Sequence, residues 1–359
     1  MIAASAALAR KLVKSTRALW VKKKYNPKNV GLLADRDVVL SDVTEWIPTM
    51  LPQVDAILGG GLPVRRAVEV FGPEGVGKSA LTHLMIRGCQ SIGGTAVILD
   101  YENSLDVDKL IQLGIDEDRL IYANPDDIEE GWDLVWKYMA DLEDPESPPP
   151  APWLFVWDSV AASVPRAERI EKSISDSHVA LIARSMSKGC RKLYKAIAKI
   201  RACMVWVNQI RTKVGAIGFG KKTETVGGYA VRYAASIRIN VAYRKAIKSG
   251  DVTTGYESHL RTDKNRLYPP HREASFVIDF EHGPSPELSM FDYLMDAKKI
   301  KKDGNSGGYK ADWSKVGFAD RDGWLKAMCV PGFRAHALQA MQDVCAQAQS
   351  ITAVDEDAE

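Results

Sequence analysis

Cysteine is scarce in this chain: five residues in 359, Cys89, Cys190, Cys203, Cys329 and Cys345, with no Cys-x-x-Cys pair among them. The six histidines fall at no spacing that would join them to these thiols in a metal site. A disulfide framework and a zinc module are therefore not expected, and reduced thiols in a cytoplasmic setting are. Cys190 and Cys203 lie in apolar patterns, as small core residues do. Long apolar runs are missing as well, since none approaches the roughly 20 residues that cross a bilayer. Net charge is nearly absent, at +2 from 48 Lys and Arg against 46 Asp and Glu. Total charge therefore points to no particular partner, but its distribution does. Residues 166–222 carry fourteen Lys or Arg against only Glu168, Glu171 and Asp176, the footprint of a surface that meets phosphates. A second basic stretch, from Arg10 to Lys28, precedes the first acid, Asp35. Its Leu8, Leu12 and Leu19 stripe fits a basic amphipathic helix, and an organellar transit peptide has a similar composition.

What is present is more specific. Val68-Glu-Val-Phe-Gly-Pro-Glu-Gly-Val-Gly-Lys-Ser79 runs an apolar strand into Gly72-x-x-x-x-Gly77-Lys78-Ser79 and then into a helical pattern. This is the context a P-loop requires. Glycines let the backbone fold round a polyphosphate so that successive N–H groups and a helix N-terminus face the negative charge. Lys78 would reach the β- and γ-phosphates and Ser79 would hold Mg²⁺. Trp153-Leu-Phe-Val-Trp-Asp158 is an apolar strand ending in a carboxylate that suits the same Mg²⁺. Val97-Ile-Leu-Asp-Tyr-Glu102 ends in two acids at the strand edge where ligands bind, with Glu102 the leading candidate to polarise an attacking water and Asp100 its competitor. Ala202-Cys-Met-Val-Trp-Val-Asn208-Gln209 ends in carboxamides able to donate to a γ-phosphate oxygen. It runs straight into a glycine-rich basic loop with one aromatic, Phe219, and then into Gly227-Gly228.

Alternation of apolar β-type runs with helical stretches indicates an α/β fold with a mostly parallel central sheet. Strands are expected at Ala67–Phe71, Thr95–Asp100, Leu154–Asp158, Met204–Asn208, Ser236–Val241 and Ser275–Asp279. A helix is expected to open at Asp176-Ser177-His178, with Val179, Ile182, Met186, Leu193, Ile197 and Ile200 facing the core and Lys188, Lys192, Lys195 and Lys199 on another face. The Pro-rich stretch 143–152 reads as a surface loop inside the ATPase core. The organisation expected is an N-terminal segment at 1–45, a core at 46–283, a small C-terminal α/β domain at 284–349 with helices around Phe291–Lys299 and Trp324–Ala346, and an acidic disordered tail at 350–359.

Taken together, Gly72-Pro-Glu-Gly-Val-Gly-Lys-Ser79, Trp157-Asp158-Ser159, Asp176-Ser-His-x-x-Leu-x-Ala-Arg184-x-Met-Ser, Arg191-Lys-Leu, Asn208-Gln-Ile-Arg211 and Thr225-x-Gly-Gly228 resemble the bacterial and phage RecA recombinases, from about Pro52 to Lys302. The resemblance implies a RecA-type P-loop core and an N-terminal polymerisation segment. It implies a DNA-dependent ATPase that coats single-stranded DNA as a helical filament of its own copies and exchanges it with homologous double-stranded DNA. Roles in DNA repair and the SOS response follow from it, as do a bacterial or phage-infected cytoplasm and dealings with single-strand-binding and mediator proteins. ATP and Mg²⁺ are the implied cofactors. Nucleotide would be contacted by Gly72, Pro73, Glu74, Gly75, Val76, Gly77, Lys78, Ser79, Ala80 and Asp106, and metal by Ser79 and Asp158. Glu102 matches the catalytic glutamate and Gln209 the γ-phosphate sensor. Lys264 and Arg266, in Asp263-Lys-Asn-Arg266, match a pair that reaches a neighbour's ATP. The first DNA loop would use Arg169, Lys172 and Ile174, with Arg184 on the helix beyond. The second would use Arg211, Lys213, Ile217, Phe219, Lys221 and Lys222, closing on Gly227 and Gly228. Lys298, Lys299, Lys301 and Lys302 stand where the family collects duplex DNA, and equally where lysines complement a helix end. One departure is chemical: where the family places an aromatic against the adenine, this chain has Lys109. A mediator that loads another recombinase and a hexameric helicase use the same core. The first would be expected to lack a catalytic residue, and the second needs an accessory domain for which the N-terminal piece has no room.

Overall fold

The computed structural model of the chain describes residues 2–25, 30, 32, 43–144, 146, 148–170, 179–212, 223–304, 308–314 and 317–355. They form two compact units, Met1–Thr44 and Glu45–Glu359. The first holds the helix Ile2–Lys22, which is the amphipathic basic segment read from the sequence. None of the helices among the described residues is long and apolar enough to cross a membrane.

The second unit is built on one large sheet. Its strands run in the order Gly283–Ser285, Glu273–Asp279, Val252–Asn265, Ile237–Ser249, Arg66–Gly72, Ala202–Thr212, Trp153–Asp158, Thr95–Asp100 and Leu120–Ala123, and Thr223–Thr225 is paired to the end of Ala202–Thr212. The six strands from Ile237–Ser249 to Leu120–Ala123 are parallel neighbours, whereas the other pairings are antiparallel. The uninterrupted apolar runs make sense because both faces are covered. Val68, Val70, Ile98, Val156 and Val205 enter one core, and Ala67, Val97, Leu99, Phe155 and Trp206 enter the other. Successive side chains alternate faces, so each run supplies two cores.

All six expected strands are present, most of them longer by a residue or more. Among the exceptions to the apolar rule are Glu69 and Arg238, buried deep in the sheet. Glu69, fully buried, accepts from Arg238 Nε at 2.5 Å and from Asn208 Nδ2 at 2.9 Å, and the Arg238 guanidinium lies 4.2 Å from the centre of the Phe71 ring. The carboxylate is thereby satisfied, as a buried charge must be.

The helix Val179–Ile197 carries the anticipated apolar stripe: Met186, Leu193 and Ile197 are buried, as is Ile200 just beyond its end. Its proposed start at Asp176–His178 lies outside the described residues. On the lysine face, Lys192 Nζ stands 4.4 Å over the Trp136 ring and Lys199 pairs with Glu143. Cys190 and Cys203 are buried, as expected of core residues.

The C-terminal part has its own apolar cluster around Phe291, Leu294, Trp324 and Met341. Its helices are Pro286–Asp296, Arg321–Met328 and Pro331–Asp355. The single pattern expected over Trp324–Ala346 is thus broken before Pro331, which opens the next helix where its missing N–H is harmless. That helix continues through Asp355, into the stretch assigned to a tail.

Candidate functional site

The site is assembled by register. Parallel pairing sets Gly72 beside Gln209 and Asp100 beside Asp158, so four strands bring these residues to one edge of the sheet. Between them lies a cavity of about 610 Å³, lined by Glu74, Gly75, Gly77, Lys78, Ser79, Ala80, Glu102, Asp158, Val207, Gln209 and Tyr256.

The P-loop turns into the helix Lys78–Ser91 at Gly77, whose φ of 89° is left-handed and whose Cβ, were there one, would lie 2.3 Å from Ile278 Cδ1. Glycine is the residue that meets both conditions. At Gly72 a Cβ would come within 2.1 Å of the Val241 carbonyl oxygen. Lys78 Nζ donates to the Pro73 carbonyl across the loop at 2.5 Å. Burial holds its pKa below the usual lysine range, against the attraction of Asp158, Glu102 and Glu74.

Asp158 is buried, and burial pushes its carboxyl up to about 6, with Glu102 and Asp100 adding to the rise and a hydrogen bond from Ser79 and the charge of Lys78 opposing it. Among the described residues, its Oδ1 has no hydrogen-bond partner. A buried carboxylate oxygen left unpaired beside a hydroxyl and a lysine fits a hard cation with oxygen ligands, as Mg²⁺ is.

The two acids after Val97-Ile-Leu are separated by their surroundings. Asp100 is buried and occupied, accepting from the amides of Glu102, Ser104 and Leu105 at 3.1, 3.2 and 3.3 Å. It organises the turn. Glu102 instead is exposed and lines the cavity, and its Oε1 accepts from Ser159 Oγ and, at 3.5 Å, from Gln209 Nε2. Of the two carboxamides, Asn208 is consumed in the core by Glu69 and the Val226 carbonyl, and Gln209 reaches the cavity.

Other sequence candidates fall elsewhere. Asp106 caps the helix Val107–Gln112 and pairs with Lys109 at 3.3 Å; neither residue lines the cavity. Lys264 Nζ donates to the carbonyls of Arg232, Tyr233 and Ala235 at 2.7, 3.3 and 2.5 Å, at the end of the helix Tyr229–Ala234. Burial, with Arg266 and Arg238 nearby, lowers its pKa to about 8. Lys264 and Arg266 do not line the cavity of their own chain. Arg169 is held by Asp126 and, at 3.2 Å, by Asp127. Arg184 and Arg211 are exposed, and Gly227 and Gly228 lead into the helix Tyr229–Ala234 with φ of 82° and 69°. Lys172, Ile174, Lys213, Ile217, Phe219, Lys221 and Lys222 lie outside the described residues. The sequence reading missed Tyr256 and Val207 as lining residues, and no motif marks either.

A strand-to-P-loop turn on a six-stranded parallel arrangement, with a buried acid whose Oδ1 has no partner among the described residues and an exposed glutamate at the same edge, defines a nucleotide-binding ATPase of the P-loop class. The family model described as the RecA N-terminal domain matches residues 17–285. The chain is 38% identical over 273 residues to Protein RecA of Leifsonia xyli subsp. xyli, covering 75% of this chain and 72% of that one. It is 33% identical over 322 residues to Protein RecA of Campylobacter lari, covering 89% and 90%. To Protein RecA of Bifidobacterium breve it is 35% identical over 304 residues, covering 84% and 74%. The chain belongs to the RecA family. It is a DNA-dependent ATPase and homologous recombinase.

Proposed function

We propose that the cavity at the P-loop takes ATP with Mg²⁺ and that its state governs the grip on DNA. The observation that carries this reading is the unpaired Asp158 Oδ1 in the same cavity as Lys78, Ser79, Glu102 and Gln209. The backbone from Gly72 to Ala80 cradles the phosphates, with Lys78 leaving the Pro73 carbonyl to meet them. Ser79 and Asp158 would hold Mg²⁺, which when bound would supply positive charge against that building on a transferred phosphoryl group. Glu102 orients the attacking water and draws its proton. Gln209 senses the γ-phosphate and passes its position into the strand that leads to residues 213–222. The two basic loops, with Arg169, Arg184, Arg211 and the pair Gly227-Gly228, follow the phosphate backbone of single-stranded DNA.

Lys264 and Arg266 act on the ATP of the adjoining copy in a helical filament. Their absence from the cavity of their own chain favours that division. Double-stranded DNA is the second substrate, and single-strand-binding and mediator proteins are the further partners this activity calls for. Lys78→Ala should abolish ATP-dependent binding to single-stranded DNA; a variant that bound as the parent does would refute the coupling.

A further inference from the structure

We propose that Tyr256 is the stacking wall for the base of the bound nucleotide, a place that no P-loop motif marks. The inference rests on the reading of the cavity as an ATP site. The lining side chains sort by chemistry. Lys78, Ser79, Glu102, Asp158 and Gln209 are polar or charged and suit phosphates, metal and water. Gly75, Gly77 and Ala80 offer little surface, and Val207 is small. Among the described residues, Tyr256 is the one lining residue with an aromatic face. Lys109, which stands at the position where an aromatic would be expected, is exposed, paired with Asp106 and outside the lining.

The strand holds Tyr256 at the P-loop. Two residues further along Val252–Asn265, on the same face, Ser258 Oγ donates to the Val76 carbonyl at 2.8 Å. Tyr256 also pairs in register with Ile278, the residue whose Cδ1 crowds Gly77. The ring sits between two exposed aromatics, Phe280 and Tyr243, with centroids 6.0 Å away on each side. These neighbours limit how the ring can turn, and a ring already oriented loses little freedom when a base packs against it.

Stacking accepts any base, because each has a π-face, so ADP and GDP should depend on Tyr256 alike. The test is calorimetric binding of ADP, GDP and inorganic tripolyphosphate, with Mg²⁺, to the full chain and to Tyr256→Ala, Tyr256→Leu and Tyr256→Phe. Tyr256→Ala and Tyr256→Leu are expected to lose about 5- to 150-fold in affinity for both nucleotides, the range for one base on one ring. Tripolyphosphate should bind as before, and Tyr256→Phe should restore ADP. Unchanged ADP binding by Tyr256→Leu would overturn the proposal, and so would an equal loss of ADP and tripolyphosphate, which would mean a disturbed P-loop. If the parent chain bound no ADP, the nucleotide reading itself would fall, and this one with it.

Discussion

Gln209 Nε2 lies 3.5 Å from Glu102 Oε1, so the residue assigned to sensing and the residue assigned to activating water are in contact. Ser159 Oγ donates to the same oxygen. On the proposed assignment, a γ-phosphate that drew Gln209 away would also release Glu102 from this contact. Glu102→Gln should leave ADP affinity unchanged while slowing hydrolysis by about 10²- to 10⁴-fold, the usual contribution of a general base. Single-turnover hydrolysis beside equilibrium binding measures both, and Gln209→Ala should retain ADP binding while DNA affinity stops responding to ATP.

Lys264 is bound to three backbone carbonyls of its own chain, and to reach a neighbour's phosphate it must leave them. If it acts between subunits, Lys264→Ala and Lys78→Ala should each be inactive alone. Mixed, they should regain DNA-dependent ATPase, because some interfaces then pair an intact P-loop with an intact Lys264. A mixture as inactive as its components would place Lys264 in its own subunit's chemistry.

The buried pair of Glu69 and Arg238 offers a test of stability. Arg238→Met leaves the Glu69 carboxylate buried with Asn208 alone, and breaking such a pair costs about 3–5 kcal/mol. Denaturant unfolding should show that loss, and adding Glu69→Gln should recover much of it, since the uncompensated charge is then gone.

Asp55 accepts from the Thr49 amide at 2.9 Å and from Thr49 Oγ1 at 2.7 Å, yet burial pushes its carboxyl up to about 7. A raised acid binds its proton more tightly in the folded state. Its contribution to stability is therefore full below the ordinary pKa of 3.8 and is lost as pH rises through about 7. Asp55→Asn should flatten that dependence, so the gap in Tm between variant and parent should move in the variant's favour from pH 5 to pH 8. A gap that stayed constant would show that Asp55 does not titrate there.

Much of this architecture was legible because apolar runs buried on both faces announce themselves, as Thr95–Asp100 and Trp153–Asp158 do. The strand Val252–Asn265 was not, since Thr253, Tyr256, Glu257, Ser258, His259 and Arg261 make it too polar for that pattern, and its stability comes from pairing on both sides. Tyr256 stayed hidden for the same reason: the strand meets the P-loop through a contact between Ser258 and Val76, 182 positions apart. Local spacing carries no trace of such an approach. Glu102 could be ranked above Asp100 from the sequence, but the physical reason, three amides already consuming Asp100, is a matter of folded geometry.

The most direct test of the account is strand exchange between a single strand and a labelled duplex, homologous or unrelated, with ATP and Mg²⁺. Transfer of label is expected with the homologous duplex alone, and none when ATP is withheld or Lys78 is replaced by alanine. Failure with both duplexes, or separation of both alike, would contradict it.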